Sequence, residues 1–211
     1  MAEKISLADQ AYEKIKHNIL TLSYPPGMQL TEAMLTEELN MSRNPVRTAL
    51  KMLHSEGLIT RDYYRSMIVA EITDKDINEI YQLRELLEGS AFRMIFETGR
   101  AEEFSYRIEE KVVRMCAASD DIFQWELADT KMHMEIVSIF ENDRINRIYE
   151  NNLNEVIRMG LYSVKNGLHI EKANENLKKM IRYMRKNNYE KAYDNQKGDH
   201  FMIEKSSALK K

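Results

Sequence analysis

Ser42-Arg43-Asn44-Pro45-Val46-Arg47-Thr48-Ala49-Leu50 is the stretch that decides how this chain is read. Ser42 is the residue type that opens a helix, and Pro45 falls in the first turn, where a missing N–H costs nothing. Val46, Ala49, Leu50 and Leu53 recur at helical spacing and make one inner stripe, predicting a helix to about Ser55. Gly57 stands where a left-handed residue ends such a helix. Arg43, Asn44, Arg47, Thr48 and Lys51 are left on the outer face, so that face is polar and cationic.

Working outward, Leu58 to Thr60 and Met67 to Ala70 read as two short strands. The basic, aromatic tip Arg61-Asp62-Tyr63-Tyr64-Arg65 joins them. Upstream, Thr31 can cap a short helix carrying Leu35 and Leu39, and Asn40-Met41 then turns the chain. Pro25-Pro26-Gly27 makes a further turn. Leu7 to Leu22 carries Leu7, Ala11, Tyr12, Ile15, Ile19 and Leu22 at helical spacing, which predicts a first helix that the prolines stop. Three helices followed by a hairpin is the order of a winged helix-turn-helix.

All three prolines precede Val46, so nothing downstream forbids long helices. Thr73 to Asp76 is a capping-box start. The helix it opens places Ile77, Ile80, Leu83, Leu87 and Ala91 on one stripe and ends near Thr98-Gly99. Further helices are expected near Glu102–Ala117, Ile122–Phe140, Asp143–Val164, Ile170–Lys186 and Tyr189–Ser206. The fold class is therefore mainly α: an N-terminal winged helix-turn-helix over residues 1–72, and a C-terminal all-α bundle of about six helices over residues 73–211.

With 211 residues there is room for two domains, and 43% hydrophobic with 31% charged residues suits a globular chain. Cys116 is the sole cysteine, which excludes an intrachain disulfide and fits a reducing cytoplasm. Neither a signal peptide nor a run of roughly 20 apolar residues is evident, so no membrane is expected. Net charge is −3, so any polyanion binding has to rest on a local patch. Between residues 43 and 65, Arg43, Arg47, Lys51, Arg61 and Arg65 outnumber Glu56 and Asp62.

That patch has the chemistry of a DNA reader. The second helix of a helix-turn-helix lies in the major groove, where its first turns reach base edges. Arg43 and Arg47 are one turn apart, and arginine pairs bidentately with guanine O6 and N7. Ser42, Asn44 and Thr48 can bond phosphates or bases, the N–H groups of the helix start can take a phosphate, and Arg65 can work from the hairpin tip. A solvated polar face is the plainer account of the charges alone. The order of elements around them favours DNA.

The chain resembles the GntR family of bacterial regulators. The carrying residues are Leu7-Ala8-Asp9-Gln10-Ala11-Tyr12, Pro25-Pro26-Gly27-Met28-Gln29-Leu30, Thr31-Glu32, the stretch from Ser42 to Leu50, Leu53, and Glu56-Gly57-Leu58-Ile59. The resemblance implies Arg43 and Arg47 as principal DNA contacts, with Ser42, Asn44 and Thr48 assisting and Arg65 acting from the wing. Where the family wing carries Asn-Arg-Gly, this chain has Tyr64-Arg65-Ser66, which removes the glycine's easy access to positive φ.

Beyond Thr73 the chain resembles the all-helical ligand-binding domain of the FadR subgroup. The residues are Ile80-Tyr81-Gln82-Leu83-Arg84-Glu85-Leu86-Leu87-Glu88, Asp129-Thr130-Lys131-Met132-His133, and Asn188-Tyr189-Glu190-Lys191-Ala192 through His200. Many members hold a divalent metal such as zinc or nickel on an Asp, a His four residues later and two further His. Asp129 and His133 fit the first pair, and His200, or Asp199 with a one-residue slip, fits the last position. The third is lost: Leu177 or Lys178 stands where the family has histidine, and the nearby Asn174 and Asn176 are poor ligands for such an ion. A hydrogen-bonded polar pair is the other account of Asp129 and His133.

The resemblance also implies that Arg84 reaches the effector cavity and clamps an organic-acid carboxylate. An internal salt bridge to Glu85, Glu88 or another acid is the alternative. The leading expectation is thus a cytoplasmic, homodimeric repressor that binds a palindromic double-stranded DNA operator and is switched by a small-molecule effector. A metal-dependent enzyme on the helical bundle is disfavoured by the lack of a His-Glu-x-x-His, a Gly-rich phosphate loop or an evident nucleophile set. A constitutive DNA binder whose helical half only dimerises is the third reading.

Overall fold

The computed structural model describes residues 5–61, 66–196, 205–206 and 208–209. The chain divides into two compact units, Met1–Ile72 and Thr73–Lys211.

The first unit begins with α1 (Leu7–Leu20), opened by a capping box in which Ser6 and Asp9 satisfy each other's backbone N–H groups. It ends two residues before the expected stop. Leu22 turns the chain with φ 60°, so the reversal comes before the prolines. β1 (Gln29–Leu30) follows, then α2 (Glu32–Leu39), capped by Thr31 and closed by Asn40 in the left-handed region. Next come α3 (Arg43–Ser55) and the hairpin strands β2 (Ile59–Arg61) and β3 (Met67–Val69). β3 is the middle strand of an antiparallel sheet of order β1-β3-β2, with Gln29 opposite Ile68 and Ile59 opposite Val69. β1 is not predicted by spacing, because two residues are too few to show an alternation.

Ala11, Ile15 and Ile19 of α1 meet Val46, Ala49, Leu50 and Leu53 of α3 in a core that Leu35, Leu58 and Val69 complete. The period of α3 thus turns its apolar stripe inward and its cationic face outward. Gly57, at φ +75°, makes the left-handed exit that leads straight into β2.

The second unit opens with α4 (Asp74–Glu97), under a capping box between Thr73 and Asp76. It continues through α5 (Ala101–Ala117), α6 (Ile122–Val137) with a 3₁₀ turn at Ser138–Phe140, α7 (Asp143–Asn151), α8 (Leu153–Lys165), α9 (Ile170–Arg185) and α10 (Tyr189–Asp194). The single helix expected over 143–164 is two, broken at Asn152. Asn152 takes φ −103° and ψ 1°, and its side chain donates to the Ile148 carbonyl at 2.7 Å. Adjacent asparagines, which bond their own backbone in preference to a helix ladder, account for the break.

Phe92, Phe104, Ile108, Met115, Trp125, Met132, Ile136, Leu177, Met180 and Met184 form the core of this unit. The innermost face of α4 is not the stripe expected. Ile77, Ile80 and Ala91 are buried as predicted, and Arg84 reaches the interior as expected, but Leu83 and Leu87 are half-buried, and Tyr81 and Glu88 lie inside.

Candidate functional site

Two clusters concentrate the chemistry, one in each unit. In the first, Ser42, Arg43, Asn44, Arg47, Thr48 and Lys51 are all exposed along α3. The backbone of Ser42 takes the extended N-cap conformation, but its side chain makes no capping bond, contrary to expectation. The N–H groups of the first turn are therefore left without a cap from that side chain. The Thr48 hydroxyl donates to the Asn44 carbonyl at 3.1 Å.

Arg47 is held side-on. Its Nε donates to Glu32 Oε1 at 2.8 Å and its Nη2 to Oε2 at 2.9 Å. The hydrogen bond from Arg47 keeps the Glu32 carboxyl below its usual range. Glu32, Arg47, Lys51, Arg61, Ser66 and Met67 border a groove of about 430 Å³ between the start of α2, α3 and the hairpin. The expected wing residue Arg65 lies outside the described residues; its neighbour Ser66 accepts from Gln29 Nε2 at 2.7 Å, tying hairpin to β1. Sequence reading took Glu32 only as part of a helix start. Nothing in spacing could reveal its role, since its partner is 15 residues away on another helix.

The second cluster is buried among α4, α6, α7 and α8. Arg84 Nε donates to Glu88 Oε1 at 2.8 Å, and both side chains are 1% exposed. The Tyr149 hydroxyl donates to the same Glu88 oxygen at 2.8 Å. His133 Nδ1 lies 2.6 Å from Glu88 Oε2, and its Nε2 lies 3.3 Å from Asp129 Oδ2. Burial pushes the Glu88 carboxyl up, but the charges of Arg84 and His133 outweigh it and hold it at about 2. Burial also opposes protonation of His133, yet Glu88 and Asp129 outweigh that and raise it to about 9. Arg158 and Glu126 are buried too, and the Glu126 carboxylate fills the space where Gly160 has no Cβ.

The structure thus brings Arg84, Asp129 and His133 together, with an internal salt bridge from Arg84 to Glu88. Tyr149, Glu126 and Arg158 were missed. The two charged residues lie among apolar neighbours with no motif, and Tyr149 sits in a segment read as mid-helix.

A divalent metal does not fit the described residues. Both ring nitrogens of His133 already face carboxylates, Nδ1 that of Glu88 and Nε2 that of Asp129. Leu177, where a third ligand is needed, is wholly buried in the apolar core. Asn174 is committed, accepting from Trp125 Nε1 at 3.0 Å and donating to Ser119 Oγ at 3.3 Å. Among the described residues no group of three or more His, Cys, Asp or Glu can hold a metal, and His200 lies outside them.

A winged helix-turn-helix with a cationic reading helix, followed by an all-helical unit with a buried charge cluster, defines a DNA-binding regulator with a sensor domain. More narrowly, the chain belongs to the GntR family of bacterial regulatory proteins: residues 7–69 match that family's profile, and residues 79–195 match the FCD domain. The matched families are transcriptional regulators, not enzymes.

The Bacillus subtilis (strain 168) HTH-type transcriptional regulator YdhC is 26% identical over 151 residues, covering 70% of this chain and 66% of the relative. The gluconate operon transcriptional repressor of the same organism is 30% identical over 144 residues, covering 67% and 58%. The matched stretch thus spans under two thirds of the length of these curated relatives. A crystal structure of a GntR transcriptional regulator from Rhodococcus sp. RHA1 has the same fold, with TM-score 0.71, 20% identity and 95% of both chains covered. No helix among the described residues is long and apolar enough to cross a membrane.

Proposed function

We propose that this chain is a cytoplasmic, homodimeric repressor that reads a palindromic operator with the outer face of α3 and releases it when an organic acid enters the FCD domain. The observation that carries the reading is the row of exposed Arg43, Arg47 and Lys51 on α3, in a chain whose net charge is −3. A face so placed supplies both base and phosphate contacts. Arg43 and Arg47 contact bases, Ser42, Asn44 and Thr48 assist at the backbone, and Arg65 works from the wing. A dimer matches the two-fold symmetry of such an operator.

The effector reading is supported by Arg84 and Arg158, two guanidinium groups buried in one unit and suited to a carboxylate. The gluconate operon repressor among the relatives, named for a sugar acid, points to the same chemical class. Glu88 holds Arg84 in the state described, so an acid ligand displaces or shares that contact.

The test is operator selection from random duplexes with the full chain, followed by fluorescence anisotropy. Arg47→Ala is expected to weaken operator binding by about 1–3 kcal/mol and to relax selection at one base pair. Small carboxylic acids added to the same assay are expected to release the duplex. Unchanged selection in folded Arg47→Ala overturns the DNA reading. Binding indifferent to every acid tried, with no thermal shift, favours the constitutive binder instead.

A further inference from the structure

Arg47 does not project freely. Two of its N–H donors, on Nε and Nη2, are taken by the two oxygens of Glu32. That leaves the outer edge of the guanidinium, formed by Nη1 and the remaining Nη2 hydrogen. This outer edge is itself a parallel pair of donors, the geometry that guanine O6 and N7 accept. Glu32 and a guanine therefore do not compete for one edge; they occupy adjacent edges of the same planar group.

Both ends of the arrangement are anchored. Glu32 is the first residue of α2, where the Thr31 hydroxyl accepts from the Met34 N–H at 3.1 Å and the preceding Leu30 is buried. Arg47 lies between the buried Val46 and Ala49 on α3. A carboxylate at a helix N-terminus is favoured by the helix dipole, and the bond from Arg47 keeps it ionised. The Arg47 side chain is 52% exposed and that of Glu32 35%, so the pair adds little to stability. What it does is fix a long side chain that would otherwise sample many rotamers.

Glu32 also places a negative charge in a groove bordered by Arg47, Lys51 and Arg61. Phosphates are repelled there on every sequence, whereas the guanine contact is made on one. Resting on the assignment of α3 as the reading helix, we propose that Glu32 is a specificity-determining positioning residue: it grips the inner edge of Arg47 so that the outer edge meets one guanine.

The experiment uses the full chain and its selected operator. Wild type, Glu32→Gln, Glu32→Ala, Arg47→Ala and the Glu32→Gln/Arg47→Ala double variant are titrated against three duplexes: the operator, the operator with its Arg47-dependent guanine replaced, and unrelated DNA. Glu32→Gln is expected to bind unrelated DNA as tightly as wild type or several-fold more tightly. It is also expected to lose several-fold in discrimination at that one base pair, out of the about 5- to 150-fold that a bidentate contact supplies. In the Arg47→Ala background the same change is expected to leave discrimination untouched. A purely structural pair would weaken all three duplexes alike. Equal discrimination by wild type and both Glu32 variants, with discrimination lost in Arg47→Ala, overturns the role of Glu32 alone. Undiminished discrimination in Arg47→Ala overturns the assignment of α3 first.

Discussion

Glu88 is one carboxylate with three partners. It accepts from Arg84 and Tyr149 and faces His133, all within the interior of the second unit. Removing one member of a buried ion pair strands the other charge, so Glu88→Gln is expected to cost about 3–5 kcal/mol in urea unfolding. The acid side follows by linkage. The carboxyl sits at about 2 folded against 4.5 ordinarily, so the unfolded chain takes up the proton first. Its stabilisation is complete above pH 4.5 and is lost as pH falls from there through about 2. Wild-type stability is expected to decline across that window, and Glu88→Gln to show a flatter profile. An unchanged profile in the variant removes Glu88 as the group that titrates.

At the level of elements, α6 and α8 approach where Gly160 leaves room for the carboxylate of Glu126. Gly160→Ala would set a methyl group in that space. Glu126 is buried and has little freedom to retreat, so the change is expected to destabilise by about 1–3 kcal/mol, although alanine is the better helix former. Equilibrium unfolding checks this; a neutral or stabilising result would show that Glu126 can move aside.

Elements were legible where the period was strong and the caps were explicit. α3 followed from Val46, Ala49, Leu50 and Leu53, and the start of α4 from Thr73 and Asp76. The break at Asn152 was not legible, because apolar spacing continues through it while a local side-chain bond decides the geometry. The inner face of α4 was misread for a related reason. Hydrophobic spacing favoured Leu83 and Leu87, but Glu88 lies inside, held by Arg84 of its own helix and by His133 and Tyr149 of two others. Ser42 was legible as a helix start but not as one whose side chain makes no capping bond.

For the molecule as a whole, a net charge of −3 means that attraction to DNA is local and set against a weakly repelling remainder. Operator affinity is therefore expected to fall steeply with salt, in proportion to the phosphates neutralised. Lys51→Ala is expected to weaken binding to all sequences alike and to make the log–log salt slope shallower by about 1 per protomer. Titrations across a range of salt concentrations decide it. A loss confined to the operator would make Lys51 a base reader instead.

The bond between Arg84 and Glu88 has a bearing on how such a regulator is used. The interior already contains a carboxylate seated on the arginine, so an acid of the kind proposed would meet an incumbent rather than a vacancy. On the function proposed above, a weak or scarce acid would lose that contest, and only one that binds Arg84 better than Glu88 does would switch the protein. The threshold of such a switch would then be set by a side chain four residues from the arginine it occupies.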